Sequence, residues 1–154
     1  MKRIYIKEEA CMGCHLCEVY CQLQHATSKD PLKAFAKGSG KILPRLSIEV
    51  KTPVSFSAQC RQCAEPPCVY ACLTGALRKN PDNGIITLDT EKCIGCWTCV
   101  LVCPFAAVKQ DKTLGKSLRC DLCPGEATPA CVANCPNEAL VYTETEGLSN
   151  DSRN

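Results

Sequence analysis

The chain has 154 residues, enough for one compact domain or two small ones, and its formal net charge is +2. Its 16 cysteines are far above ordinary usage, whereas only 5% of the residues are aromatic. No apolar run approaches the roughly 18–20 residues that a membrane-spanning helix needs. The composition therefore excludes a single-pass membrane protein, a collagen-like chain and a wholly disordered chain.

The first predicted element is a short strand containing Ile4 and Ile6, which leads into the first of four cysteine groups. The groups are Cys11, Cys14, Cys17 and Cys21; Cys60, Cys63, Cys68 and Cys72; Cys93, Cys96, Cys99 and Cys103; and Cys120, Cys123, Cys131 and Cys135. Groups one and three have the spacing C-x2-C-x2-C-x3-C, group two has C-x2-C-x4-C-x3-C, and group four has C-x2-C-x7-C-x3-C. No cysteine is left over.

Residues 22–59 separate group one from group two and break the repeat. Ser47–Lys51 within this segment is predicted to be a strand. Basic residues recur there at intervals of four: Lys29, Lys33, Lys37, Lys41 and Arg45. A helix would stack them on one face, but Gly38-Ser39-Gly40 must interrupt it. A solvated basic surface and a docking patch for a partner both fit this row.

The repeat extends beyond cysteine. Ala followed by Leu or Val recurs four and five residues after the last cysteine of groups two, three and four, as Ala76-Leu77, Ala107-Val108 and Ala139-Leu140. Ile86 and Leu88 precede group three at the offsets that Ile4 and Ile6 have from group one. Each unit is therefore predicted to be a strand, a cysteine loop, a helical turn and a strand.

Three other uses of the cysteines fit the sequence less well. A disulfide framework suits secreted chains, but no apolar signal core is present in the N-terminal residues. Structural zinc prefers two separated C-x2-C knuckles, whereas groups one and three place three cysteines within seven residues. Cys11-Met12-Gly13-Cys14-His15 matches the c-type haem signature, but Cys17 and Cys21 continue it at another spacing.

The remaining interpretation is an iron–sulfur protein. The run C-x2-C-x2-C-x3-C-P is the ligand motif of bacterial ferredoxins, and it is complete at Cys93–Pro104. Four groups of four thiolates predict four 4Fe-4S clusters. His15 is then a loop residue near a cluster, and His25 is expected to have an ordinary surface or packing role.

With these motifs, the chain resembles the four-cluster ferredoxin subunits of redox enzymes over roughly residues 1–143. Members of this family serve carbon monoxide dehydrogenase, dimethyl sulfoxide reductase, formate dehydrogenase and tungsten aldehyde oxidoreductase. The segments Cys60–Cys72 and Arg119–Pro136 look like the family's second and fourth motifs. The chain departs from the pattern because groups one and two lack a proline after the last cysteine, and because the loop between Cys123 and Cys131 is shorter than in larger members.

The predicted fold is α+β, with two fused bacterial-ferredoxin-like modules related by pseudo-twofold symmetry. The outer module is predicted to comprise residues 1–52 and 110–154, with the 22–59 segment partly in it. The inner module is predicted to comprise residues 53–109 and to hold groups two and three. Short strands and helical turns would surround the four clusters.

In two-cluster ferredoxins the fourth cysteine of one motif ligates the cluster of the other motif. The resemblance implies that group one exchanges its fourth cysteine with group four, and group two with group three. The implied ligand sets are Cys11, Cys14, Cys17 and Cys135 (cluster A); Cys120, Cys123, Cys131 and Cys21 (cluster B); Cys60, Cys63, Cys68 and Cys103 (cluster C); and Cys93, Cys96, Cys99 and Cys72 (cluster D). Exchange between adjacent groups is the alternative, and the long segment after Cys21 weighs against it.

Such clusters transfer single electrons, and no phosphate-binding loop, dinucleotide fingerprint or nucleophile elbow supplies other chemistry. We therefore predict an electron-relay subunit rather than an enzyme, with a freely diffusing polyferredoxin as the alternative. Four clusters of charge about −2 each would make the loaded protein acidic, so we predict no nucleic-acid partner.

The resemblance also implies the partners. One end of the relay would meet a carbon monoxide dehydrogenase or a tungsten or molybdenum enzyme such as an aldehyde oxidoreductase. The other end would meet a flavin subunit, a hydrogenase or another ferredoxin. Two docking ends favour a hetero-oligomer, and the absence of an export signal favours the cytoplasm.

Anoxically purified protein is expected to hold about sixteen iron and sixteen sulfide ions per chain, because each of four 4Fe-4S clusters contains four of each. Removal of the iron is expected to unfold the chain, because the binding free energy of the metal is part of its folding free energy. Iron and acid-labile sulfide analysis, combined with circular dichroism, measures both. Stoichiometric zinc, or about two iron ions per chain, would contradict the prediction.

Overall fold

The computed structural model describes residues 2–37 and 42–144. Its elements in chain order are β1 (Lys2–Ile6), α1 (Leu16–Gln24), α2 (Pro31–Ala34), β2 (Ser47–Lys51), β3 (Val54–Ala58), α3 (Pro67–Tyr70), β4 (Leu77–Lys79), β5 (Ile86–Leu88), α4 (Thr98–Leu101), β6 (Lys109–Asp111), β7 (Lys116–Leu118), α5 (Ala130–Ala133) and β8 (Leu140–Glu144). A 3₁₀ turn at Glu8–Ala10 follows β1. None of the helices in these two ranges is long and apolar enough to cross a membrane.

The predicted order of strand, cysteine loop, helix and strand occurs four times along the chain. The strand predicted at Ile4 and Ile6 is β1, the strand predicted at Ile86 and Leu88 is β5, and Ser47–Lys51 is β2. The predicted α+β class is therefore confirmed. The pseudo-twofold arrangement of two modules and the boundaries at residues 52, 53, 109 and 110 stay predictions.

Each cysteine group places its third cysteine at the second residue of a helix; these residues are Cys17, Cys68, Cys99 and Cys131. Three of the four helices have only four residues. Helices α3, α4 and α5 all end before the fourth cysteine of their group, and Pro104 and Pro136, which follow two of these cysteines, cannot extend a helix. Helix α1 continues for nine residues, past Cys21, which is followed by Gln22.

The basic row of the 22–59 segment does not form one helix. Among its described residues from Lys29 to Arg45, only Pro31–Ala34 is helical, capped by the Asp30 side chain, which accepts a hydrogen bond from Leu32 N. Lys29 precedes this helix and donates instead to the carbonyl oxygen of Gln24 at the end of α1. Lys41 and the Gly38-Ser39-Gly40 interruption lie outside the described residues.

The eight strands pair as four antiparallel two-stranded sheets, β1 with β8, β2 with β3, β4 with β5, and β6 with β7. Ile4 lies opposite Tyr142 in the first sheet, and Leu77 lies opposite Leu88 in the third. Helix α1 packs on α5, and α3 packs on α4. Elements of the first unit therefore meet elements of the fourth, while the second unit meets the third.

Two apolar clusters form the core, and cysteines belong to both. The first surrounds Ile4, Leu46 and Leu140 and includes Cys17, Cys21, Cys120 and Cys131. The second surrounds Leu77, Ile86 and Val108 and includes Cys68 and Cys99. Because each core is this small, the packing of the chain depends on what its sulfur atoms bind.

Two hairpins cover cysteine loops in similar ways. Ser55 in the β2–β3 hairpin donates from Oγ to the carbonyl oxygen of Cys11, and Val50 lies against Gly13 in the group-one loop. In the β6–β7 hairpin, Lys116 donates from Nζ to the carbonyl oxygen of Cys93, and Gly115 lies against Gly95 in the group-three loop. Each hairpin therefore holds one C-x2-C-x2-C loop in place.

Gly95→Ala is expected to destabilise the protein more than Gly75→Ala. Both glycines have a positive φ, of 68° and 63°, so either substitution carries the left-handed strain of about 1–2 kcal/mol. An added Cβ at Gly95 would collide with the carbonyl oxygen of Gly115, whereas Gly75 faces open space.

The loss of unfolding free energy should exceed about 3 kcal/mol for Gly95→Ala and stay near about 1–2 kcal/mol for Gly75→Ala. Urea unfolding of the loaded protein under anoxic conditions measures both. Ala106 has a φ of 48° at the position in group three that matches Gly75, so alanine is tolerated in this turn. Equal losses in the two variants would contradict the proposed collision.

Candidate metal centres

Three cavities each collect three cysteines from one group and one cysteine from another. The first is lined by Cys11, Cys14, Cys17 and Cys135. The second is lined by Cys60, Cys63, Cys68 and Cys103, and the third by Cys93, Cys96, Cys99 and Cys72. Cys11 and Cys135, which line the first cavity, are 124 positions apart in the sequence. The cysteines of the three cavities are the members of sets A, C and D.

The other four cysteines are all buried, namely Cys21, Cys120, Cys123 and Cys131. Burial raises the pKa of the Cys131 thiol, and negative charge on Cys120, Cys21 and Cys123 raises it further. These four sulfurs are therefore close enough to repel one another when ionised. They are the members of the set named B, and their ligand role, like that of the other twelve, stays a prediction.

The buried thiols are poor thiolates unless a cation accompanies them. Burial raises the pKa of Cys17 to about 12 and that of Cys120 to about 12. Neighbouring sulfurs add to the effect, since charge on Cys14 and Cys135 also raises the pKa of Cys17. Four converging thiols of this kind fit a metal centre, because coordination replaces the protons with positive charge.

Backbone amides point at several of these sulfur atoms. Leu77 N lies 3.4 Å from Cys72 Sγ, and Ala107 N lies 3.4 Å from Cys103 Sγ. Both donors come from the Ala-Leu or Ala-Val positions that recur after the fourth cysteine. Such N–H groups stabilise negative charge on sulfur, which is a recognised means of adjusting iron–sulfur potentials.

Group one obtains its amide donor from elsewhere in the chain. Helix α1 continues past Cys21, so the turn that supplies the donor in groups two and three is missing. Arg45 N, at the end of the 22–59 segment, lies 3.3 Å from Cys21 Sγ and takes its place. The 22–59 segment, which interrupts the sequence repeat, therefore supplies group one with the amide–sulfur hydrogen bond that the repeat supplies in groups two and three.

His25 has a more specific environment than the surface or packing role expected from the sequence. Its Nδ1 lies 2.7 Å from the carbonyl oxygen of Cys21 and 3.8 Å from Cys21 Sγ, and its Nε2 lies 3.2 Å from Asp121 Oδ1. Burial alone would lower the pKa of His25, but the hydrogen bonds with Asp121 and Cys21 outweigh it and raise the pKa to about 9. The imidazole is therefore a cation beside Cys21 at neutral pH. The position of His25, four residues after Cys21 and at the end of α1, is the sequence feature that could have predicted this contact.

Asp121 connects this region to group four. It accepts hydrogen bonds from His25 and from Cys123 N, at 3.1 Å, and it forms an ion pair with Arg45. Burial opposes ionisation, but the His25 hydrogen bond and the Arg45 charge lower the pKa of Asp121 to about 2. Although Asp121, His25 and Cys123 could together contact an ion, the carboxylate is already engaged by Arg45. Asp121 therefore supports the loops around Cys21 and Cys123.

Two further residues of the site, Arg119 and Gln62, were not predicted from the sequence. Arg119 is 3% exposed and donates from Nη2 to Cys60 Sγ, at 2.8 Å, and to Gln62 Oε1, at 3.2 Å. Gln62 is fully buried and links the loops of groups two and four through Cys120 O. Arg119 immediately precedes Cys120, but its contact with Cys60 crosses 59 positions and had no sequence signal.

The cysteines differ in their access to solvent. Only Cys14 and Cys96 are exposed, and they are the second cysteines of groups one and three. Exposed apolar side chains lie beside them, with Met12 61% and Ile94 65% exposed. The cavities lined by Cys14 and Cys96 therefore reach the protein surface at apolar patches.

Known proteins are similar to this chain along nearly its whole length. A family model described as a 4Fe-4S dicluster domain matches residues 52–145. An iron-sulfur protein of Rhodospirillum rubrum is 34% identical over 93% of this chain and 82% of its own length. The electron transport protein HydN of Escherichia coli (strain K12) is 33% identical over 96% of this chain and 91% of its own length. The beta subunit of the NADH-dependent phenylglyoxylate dehydrogenase of Aromatoleum evansii is 37% identical over 92% of this chain, which spans 30% of that subunit.

Asp121→Asn is expected to lower the free energy of unfolding by about 1–3 kcal/mol, because it leaves Arg45 and His25 without their carboxylate. Asp89→Asn is the matched control, since Asp89 forms an ion pair with Lys92 at the surface. The asparagine oxygen can still accept from Glu91 N and Lys92 N, so the unfolding midpoint should stay nearly unchanged. Anoxic urea unfolding of both variants measures the difference. Equal midpoints would show that the Asp121 contacts do not stabilise the fold.

Proposed function

This chain belongs to the 4Fe-4S dicluster family of iron–sulfur electron-transfer proteins, and from that membership we propose that it is an electron-relay subunit with four 4Fe-4S clusters. It passes single electrons between a catalytic redox subunit and a second redox partner. The ligands are the four sets A to D, and the two modules are the outer pair A and B and the inner pair C and D.

The observation that carries the proposal is the mixed origin of the cysteines in each cavity. Three of the cavities combine three cysteines of one group with the fourth cysteine of another, which is the ligand exchange of two-cluster ferredoxins. The contacts of α1 with α5 and of α3 with α4 support the nested pairing of groups, because they join the first unit to the fourth and the second to the third.

A bound 4Fe-4S cluster takes up and releases one electron at a time. The chain's own residues prepare the site for that exchange. Backbone amides such as Leu77 N and Ala107 N donate to cysteine sulfur, and apolar side chains such as Leu77 and Val108 exclude water from the inner core. The proposal assigns the chain electron transfer and no substrate chemistry of its own, so the relay needs a catalytic partner.

The two apolar clusters support a linear order of the four sets. The first cluster contains Cys17 of set A together with Cys21, Cys120 and Cys131 of set B, and Cys60 of set C packs against it. Sets C and D share the second cluster. The order A, B, C, D follows, and it has exposed cysteines only at its two ends, Cys14 in set A and Cys96 in set D.

A linear order of cysteine sets with an exposed cysteine at each end suits a relay between two partners better than a freely diffusing polyferredoxin. Electrons enter at one exposed cavity and leave at the other, while the buried set B lies in between. The apolar residues at the ends, Met12 and Ile94, are suited to contact with partner proteins. Both ends are therefore proposed as docking faces, and the protein as a member of a hetero-oligomer.

The catalytic partner is proposed to be an oxidoreductase subunit, of the carbon monoxide dehydrogenase class or of the tungsten or molybdenum class to which aldehyde oxidoreductase belongs. The similarity to a dehydrogenase beta subunit supports a place in such an assembly. A flavin subunit, a hydrogenase or another ferredoxin is proposed at the other end. Anoxic co-purification identifies the partners, and recovery of the chain without any stable partner would favour the freely diffusing polyferredoxin.

Cys17→Ser and Cys68→Ser are each expected to reduce electron flow through the assembled complex by at least about tenfold, because each removes a proposed ligand. The partner's activity with an artificial dye should stay largely intact. Asp89→Asn serves as a surface control that should leave both rates unchanged. Turnover of a substrate by the isolated chain, or full electron flow in both cysteine variants, would contradict the relay function.

A further inference from the structure

The centre of the proposed relay contains a buried positive charge. Arg119 is 3% exposed, and its Nη2 lies 2.8 Å from Cys60 Sγ, a proposed ligand of cluster C. Arg119 also precedes Cys120, a proposed ligand of cluster B, in the sequence. The guanidinium therefore lies at the junction between the outer and inner pairs of cysteine sets.

This charge has no carboxylate partner among the described residues. The ion pairs found in residues 2–37 and 42–144 involve His15, His25, Arg45 and Lys92, and none involves Arg119. Its Nε and Nη1 are buried and have no hydrogen-bond partner in the chain. A buried guanidinium with two free donor groups is strongly unfavourable unless a negative group lies beside it.

The nearest negative group that the site can hold is the cluster itself. Cys60, whose sulfur accepts from Arg119, lines one cavity with Cys63, Cys68 and Cys103, the other proposed ligands of cluster C. An Fe4S4 core with four thiolates is anionic, and its sulfides are hydrogen-bond acceptors. Nε and Nη1 would find in cluster C the acceptors that the protein does not provide.

We propose that Arg119 is a potential-setting residue, whose buried charge and N–H groups favour the reduced form of cluster C over its oxidised form. The inference rests on the proposed function, because it takes Cys60 as a cluster ligand. One electron passes to cluster C from a neighbouring cluster, no proton is taken up, and Arg119 keeps its own proton throughout. The added negative charge is stabilised by a cation that little solvent screens.

Gln62 fixes the direction of the Arg119 side chain. Its Oε1 accepts from Arg119 Nη2 at 3.2 Å and from Ile86 N at 3.0 Å, and its Nε2 donates to Cys120 O at 3.1 Å. The oxygen of this fully buried amide thereby accepts two hydrogen bonds, and its nitrogen donates one. The guanidinium is held against Cys60 by a rigid partner, so its charge acts on one cluster selectively.

The test is a redox titration of the loaded full-length protein, followed by electron paramagnetic resonance, with three variants. Arg119→Met removes the charge, and Arg119→Lys keeps the charge but loses the fork of N–H donors. Arg61→Met is the matched control, because Arg61 also lines the cavity of set C but is exposed, over the Phe105 ring, where solvent screens its charge. Cluster C is recognised as the one whose signal is lost in Cys68→Ser.

In Arg119→Met we expect the equilibrium between reduced and oxidised cluster C to shift at least tenfold toward the oxidised form, about 59 mV for one electron. The other three potentials should move less, and Arg61→Met should shift cluster C less than twofold. Arg119→Lys should give a smaller shift in the same direction. If Arg119→Met does not retain its iron, the Arg119→Lys shift decides the question.

The outcomes separate this inference from the function on which it rests. A wild-type protein that holds far fewer than about sixteen iron ions would overturn both. Full iron content with an unchanged cluster C potential in the Arg119 variants would overturn only the role of Arg119. Equal shifts in the Arg119 and Arg61 variants would also overturn it, because any nearby charge would then suffice.

Discussion

The rest of this structure depends on one constraint, which is that cysteine sulfur atoms are buried away from water. A thiol such as Cys17, with a pKa raised to about 12, becomes a thiolate only beside positive charge and N–H donors. The short helices, the left-handed turns and the covering hairpins all serve to converge four thiols and to aim amides at them. The apolar clusters are small and incorporate cysteine, so packing and metal binding are one process.

Much of this could be read from the sequence because cluster ligation is local. Spacings such as Cys93, Cys96 and Cys99 fit a loop around one metal centre, and the prolines after two fourth cysteines are incompatible with a longer helix. Strands at Ile4 and Ile86 followed from the same repeat. These features depend on neighbours within a few residues, where spacing and residue type carry the information.

The features that the sequence did not reveal are contacts between distant loops. Arg119 meets Cys60, and His25 meets Asp121, across 59 and 96 positions of sequence. Arginine is mostly exposed in proteins and histidine is intermediate in burial, so residue type alone favoured an ordinary surface or packing role for His25. The contact of the Arg45 amide with Cys21 also had no sequence signal, because any residue can supply a backbone donor. Only the path of the 22–59 segment brings this donor to Cys21.

The pairing of β1 with β8 imposes an order on biosynthesis. Residues 60–103 contain every cysteine of sets C and D, so the complete inner pair is synthesised before Cys120, Cys123, Cys131 and Cys135. Cys11, Cys14 and Cys17 are synthesised before the inner pair, but their cavity needs Cys135, and β1 needs Leu140–Glu144 as its partner strand. These three thiols thus stay open to oxidation until the residues around Cys135 have folded against them.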